Sequence, residues 1–101
     1  MITLQNLKQI TEENSPEIAL SKLQPVIDEL TFAMNQDSRG EALLAAALAE
    51  KGKLLWKTGD RAGSISAYEA SAQQDPDGPG ALLLEHSRLI MDFFDPNQLN
   101  P

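Results

Sequence analysis

Apolar residues recur along most of this chain at intervals of three and four, the spacing of one buried face of an α-helix. Leu4, Leu7 and Ile10 predict a short first helix over residues 2–13. A second helix is predicted to begin at residues 15–17, where a serine cap, a proline suited to the first helical position and a glutamate follow one another. Its predicted buried face comprises Ala19, Leu23, Val26, Ile27, Leu30 and Met34.

Two features interrupt this first pair of helices. Pro25 lies inside the second one, where proline removes a backbone hydrogen bond and clashes with the preceding turn, so we expect a bend or a break near residues 21–24. The polar residues 35–40 then predict a connection, in which Asp37 or Ser38 is a candidate cap for the next helix.

The middle of the chain predicts two helices of similar length joined at Gly59-Asp60. The third helix runs from Arg39 or Glu41 to Thr58, and the fourth from Arg61 to Gln74 with Asp60 as its cap. Small residues lie where the two would cross: Gly52, Ser64, Ala67 and Ser71, next to the larger Tyr68. This pattern predicts an antiparallel hairpin with close contact between its helices.

A fifth helix is predicted from Ala81 to Phe94, after a turn over residues 75–80 that contains two prolines and two glycines. Its predicted apolar face comprises Leu82, Leu83, Leu89, Ile90, Phe93 and Phe94. We expect this helix to cover the open side of the second hairpin, with contact to a second subunit as the alternative. The polar tail, residues 95–101, is expected to be loose.

The third and fourth helices resemble one tetratricopeptide repeat, a helix-turn-helix unit of 34 residues. The family patterns W-x2-L-G-x2-Y, A-x3-F and a closing proline fall, in register, on Leu48, Lys51, Gly52, Leu55, Ser64, Tyr68 and Pro76. Lys51 departs from the pattern with a charge at an apolar position, so we expect that end of the hairpin to be more open. Ala19 and Leu23 match the second-helix pattern alone, as in a degenerate repeat.

The expected fold is therefore all-α, with tetratricopeptide-like antiparallel hairpins in a single domain over residues 1–101. The predicted division is a degenerate first hairpin, a connection, a second hairpin with the best repeat match, a capping helix and a tail, over residues 1–34, 35–40, 41–78, 79–94 and 95–101.

Composition narrows the classes of function. A net charge of −7 and a pI near 4.5 oppose the phosphate attraction that nucleic-acid binding needs, and they disfavour anionic membranes in the same way. The chain has no cysteine, no signal-peptide pattern and no apolar run long enough to span a membrane, so we expect a cytoplasmic protein.

No constellation of residues predicts catalysis, a metal or a cofactor. His86 is the sole histidine and is interpreted as a residue at the edge of a helix interface, because a ligand or general base needs partners around it. Asp75 and Asp77 resemble part of a calcium loop, but Pro79 interrupts it and a turn explains both residues. We expect no enzyme.

The resemblance also implies an inner groove, lined mainly by the first helix of each repeat. Its candidate peptide-binding residues are Lys8, Ala49, Lys53, Trp56 and Lys57, with Leu4, Thr11, Glu12 and Ala46 at neighbouring positions. A tryptophan flanked by lysines suits an acidic or C-terminal peptide through stacking and charge. In the alternative interpretation Trp56 packs against the first hairpin and the lysines are merely solvated.

These expectations lead to two hypotheses. In the first, the chain is a non-catalytic module that binds a peptide segment of another protein, without the chaperone-type carboxylate clamp, because Glu50 stands where that clamp needs asparagine. In the second, it is a structural subunit or homodimer whose apolar last helix forms an oligomer interface.

Overall fold

The computed structural model describes residues 3–36 and 41–93, and the regular structure in these ranges is entirely α-helical. The helices are α1 Leu4–Glu13, α2 Pro16–Gln36, α3 Glu41–Lys57, α4 Arg61–Gln74 and α5 Pro79–Phe93. The predicted all-α class is confirmed for this part of the chain. The candidate caps Asp37 and Ser38, Phe94 and the tail over residues 95–101 lie outside the described residues.

Local side-chain chemistry sets the first helix boundary. Thr3 and Asn6 form a reciprocal capping box: the Thr3 hydroxyl accepts from the Asn6 backbone N–H at 3.3 Å, and the Thr3 N–H donates to Asn6 Oδ1 at 2.8 Å. Helix α1 consequently begins at Leu4, later than the sequence pattern predicted. It ends before Asn14, as predicted, because the backbone there is extended.

We expected a bend or a break near residues 21–24. A break there is wrong, since α2 continues from Pro16 through Gln36 with Pro25 inside it. An interior proline costs about 3 kcal/mol of helix stability. Leu23 and Ile27, on either side of Pro25, are 0% and 5% exposed, and we attribute the continuity of α2 to their burial. The helix also includes residues 35 and 36, which the sequence pattern assigned to the polar connection.

Helix α3 is the centre of the fold, because it packs against each of the other four helices. Its side toward α1 and α2 contributes to the main apolar core. That core comprises Leu7, Ala19, Leu23, Ile27, Leu30, Leu44, Ala47 and Leu54. The predicted buried face of α2 is thus confirmed, with Val26 and Met34 partly buried at its margin.

The other side of α3 packs closely against α4. Ser64 Oγ donates to the Gly52 carbonyl at 2.7 Å, and Ser71 Oγ donates to the Ala45 carbonyl at 2.6 Å. The later residue of α4 therefore bonds to the earlier residue of α3, so the two helices are antiparallel, as predicted. Gly52 permits the contact because a Cβ there would overlap the ring of Tyr68, with Cδ1 only 2.5 Å away.

The turn between α3 and α4 both ends the first helix and caps the second. Gly59 has φ +92°, a conformation that glycine adopts without strain. The Gly59 N–H donates to the Trp56 carbonyl and the Asp60 N–H to the Leu55 carbonyl, the two bonds of a Schellman motif. Asp60 then caps α4, as predicted, by accepting from the Gly63 N–H at 2.9 Å.

Helix α5 differs from the prediction in its start and in its orientation. It begins at Pro79, in the first helical position that proline tolerates, rather than at Ala81. Gly80 is buried against α4, where a Cβ would overlap Ser71, and Ser87 is buried on the same side. Leu82 and Leu89 lie on the opposite, exposed side, so they do not belong to the face that packs on the hairpin.

Candidate functional site

A cleft of about 480 Å³ opens between α1 and α3. We call it the α1–α3 cleft, and its lining residues are Lys8, Thr11, Glu12, Glu50, Lys53, Leu54 and Lys57. The spacing of these positions explains their convergence, because residues three and four apart share one face of a helix. One stripe of α1 and one stripe of α3 therefore form the two walls.

The cleft has an apolar floor and a charged rim. Leu54 is 2% exposed and also belongs to the core, so it closes the cleft from below. Above it, Lys53 Nζ lies 3.1 Å from Glu50 Oε1, in an ion pair with both side chains partly exposed. Exposed pairs of this kind contribute little to stability, so this one can exchange for contacts with a ligand at small cost.

The charge of the cleft is opposite in sign to that of the whole chain. Its three lysines and two glutamates leave one net positive charge, whereas the chain carries −7. Local positive charge in an acidic protein favours a ligand with an isolated negative group. The two glutamates disfavour a ligand with a dense run of acidic residues.

The structure brings together three of the five predicted site residues. Lys8, Lys53 and Lys57 line the α1–α3 cleft. Ala49 does not, because its side chain is 1% exposed and is covered by the packing of α3. Trp56 is half-buried outside the cleft lining, and its ring lies beneath the Arg61 guanidinium at 5.3 Å from ring centroid to Cζ.

Leu54 was not among the candidate site residues, and Glu50 was considered only as a departure from the carboxylate clamp. Their spacing from Lys53 and Lys57 nevertheless places both on one face of α3. Glu50, Lys53, Leu54 and Lys57 form a stripe at helical intervals. The contact between Trp56 and Arg61 could not be predicted from helical spacing, because the two residues lie on different helices, on either side of the turn that ends α3. Its geometry depends on the direction in which α4 leaves that turn.

A second groove, of about 400 Å³, lies between α3 and α4 on the side of Lys51. Lys51 Nζ donates to Gln24 Oε1 at 2.9 Å and so links α3 to α2. The lining is mostly small or apolar and comprises Leu48, Lys51, Leu55, Asp60, Gly63, Ser66, Ala67 and Ala70. It offers fewer charged groups for recognition than the α1–α3 cleft.

The residues considered for metal binding belong to a turn or to an exposed surface. Asp75 accepts from the Asp77 backbone N–H at 3.2 Å, as in a turn, and His86 is exposed on α5. Across residues 3–36 and 41–93, no three His, Cys, Asp or Glu side chains are grouped to hold a metal ion. Within the same ranges no helix combines the length and apolarity needed to cross a membrane.

Comparison with models of protein families, with curated proteins and with solved structures finds no match to this chain.

Proposed function

We propose that this chain is a non-catalytic interaction module of the tetratricopeptide kind, which binds a peptide segment of another protein in the α1–α3 cleft. The observation that carries the proposal is the convergence of Lys8, Lys53 and Lys57 above the buried Leu54. These lysines come from two helices that are separate in sequence. A ligand that contacts both helices therefore requires the folded chain, in which α1 packs against α3.

The neighbour relations of the helices support the repeat character of the module. Helix α1 packs on α2 and α3, and α3 in turn packs on α4 and α5. The resemblance implies two stacked repeats, in which the first helices of the two repeats are neighbours and each also packs against the second helix of its own repeat. Helices α1 and α3 are the first helices in this comparison, and α2 and α4 are the second. The inner groove then corresponds to the α1–α3 cleft.

The chemistry of the cleft narrows the ligand to an extended segment with a single acidic group, such as a free C-terminal carboxylate. Ammonium groups on both walls can pair with that carboxylate, while Glu12 and Glu50 can accept hydrogen bonds from the peptide backbone. Shallow charged clefts bind weakly, so we expect dissociation constants of about 10–100 μM.

The test is binding of a random peptide pool with free C-termini, monitored by backbone amide NMR shifts, with the amidated pool as comparison. We expect shifts at residues 8, 53 and 57, and a loss of binding of about tenfold in Lys57→Glu. Lys22→Glu is the matched control, because Lys22 is exposed on α2 and its substitution changes the net charge equally. Shifts confined to other surfaces, or equal effects of the two substitutions, would contradict the proposal.

A further inference from the structure

The outward face of α5 carries two exposed leucines. Leu82 is 70% exposed and Leu89 is 64% exposed, whereas Gly80 and Ser87 are buried on the side that packs against α4. The two leucines are two helical turns apart, or about 10 Å along the axis. They form an apolar stripe separate from the contact between α4 and α5.

Two exposed residues lie between these leucines on the same face, Glu85 and His86, and their side chains have complementary hydrogen-bonding groups. Glu85 offers a carboxylate that accepts hydrogen bonds, and His86 offers an imidazole N–H that donates them. Glu85 follows Leu82 by three residues, and His86 precedes Leu89 by three residues. The stripe is therefore complementary to itself when its direction is reversed.

We propose that this face of α5 binds the same face of a second copy of the chain, with the two helices antiparallel. A two-fold axis between Glu85 and His86 sets Leu82 of one copy against Leu89 of the other. The same axis places each Glu85 carboxylate beside the His86 imidazole of the other copy. Such an isologous contact closes on itself and yields a dimer and not a fibre.

Two physical arguments select the antiparallel arrangement. A parallel pair would set Glu85 against Glu85, and like charges at a few ångströms repel each other. Antiparallel helices also oppose their macrodipoles favourably. The charge of −7 on each copy acts against association, so we expect a weak dimer whose formation benefits from screening by salt.

The first test is sedimentation equilibrium of the full chain from about 10 μM to about 1 mM at moderate salt. We expect reversible dimerisation that Leu89→Glu weakens by at least about tenfold. Phe32→Glu is the matched control, because Phe32 is 67% exposed on α2 and should leave the dimer unchanged. A monomer throughout the range, or equal weakening by both substitutions, overturns the proposal.

A second pair of variants tests the dimer independently, in case circular dichroism shows that Leu89→Glu has lost helicity. It exchanges the side-chain charges at positions 85 and 86. Glu85→Lys should weaken the dimer severalfold, and Glu85→Lys with His86→Glu should restore it, because the pair is rebuilt with reversed polarity. A double variant that is no tighter than the single one overturns the pairing.

Cross-linking tests the register directly, since the chain has no cysteine of its own. Leu82→Cys and Leu89→Cys should form a disulfide-linked dimer only when the two variants are mixed, because the axis brings residue 82 to residue 89 of the other copy. Linkage of either variant to itself, or no linkage in the mixture, contradicts the antiparallel arrangement.

Discussion

Replacing Gly52 by alanine tests the close approach of α3 and α4 most directly. The new methyl group would lie 2.5 Å from Tyr68 Cδ1 and 3.0 Å from Cζ, well inside the ordinary carbon contact distance. Tyr68 is 3% exposed, so its ring is enclosed by neighbouring groups. Either the ring or the α3–α4 spacing must change.

The sign of the effect depends on two opposed terms. Alanine in place of glycine in a helix interior is worth about 1 kcal/mol of stabilisation. Overpacking a well-filled interface costs roughly 1–3 kcal/mol, and overlap with several atoms of one ring places this site at the upper end. We therefore expect Gly52→Ala to lower the free energy of unfolding by about 1–2 kcal/mol, which corresponds to about 4–15 °C in Tm.

Urea denaturation followed by circular dichroism measures this change, and a Tyr68→Leu background supplies the control. With the ring removed, the methyl group meets less obstruction, and Gly52→Ala should become neutral or stabilising by up to about 1 kcal/mol. The coupling between the two positions should then be about 2 kcal/mol. If Gly52→Ala stabilises the wild-type background as well, Tyr68 does not pack over Gly52 and our account of the hairpin is wrong.

Two further substitutions test how α4 is held. Ser71→Ala removes the buried hydroxyl that donates to the Ala45 carbonyl and should cost about 1–2 kcal/mol in urea denaturation, whereas Ser66→Ala, on the exposed side of α4, should stay within about 0.5 kcal/mol. Asp60→Ala removes the cap of α4 and should lower Tm by an amount equivalent to about 1 kcal/mol, while Asp60→Asn retains most of the stability because asparagine also caps well. Equal losses within either pair would count against the role assigned to that side chain.

The elements predicted best from the sequence are those set by single residues or by the periodicity of one helix. Asp60 capping α4 and Pro16 opening α2 follow from preferences at single positions, and the buried stripe of α2 follows from periodicity. Pro25 shows the limit of such signals, since a local preference against helix is outweighed when a long apolar face is buried on both sides of it. The periodicity indicates this burial, and its stabilising effect exceeds the cost of the proline.

Helix α5 shows a different limit. Its sequence contains more apolar positions than one interface can cover, so periodicity alone could not say which of them face α4. The structure resolves the choice through Gly80 and Ser87, whose small side chains permit the contact, and it leaves Leu82 and Leu89 exposed. For the candidate site, the positions of Lys8, Lys53 and Lys57 were expected from the family resemblance, whereas the burial of Ala49 and the contact of Arg61 with Trp56 depend on how helices pack.

The arrangement around α3 also determines which substitutions can separate binding from folding. Leu54 belongs both to the core and to the floor of the α1–α3 cleft, so Leu54→Ala would loosen the helix packing and reshape the cleft together. A loss of ligand binding in that variant would therefore have two causes. Lys53 and Lys57 are exposed on the rim of the same cleft, where substitutions change stability by less than about 0.5 kcal/mol. Because these lysines line the cleft and do not belong to the core, their substitution tests the proposed peptide binding while the fold stays constant.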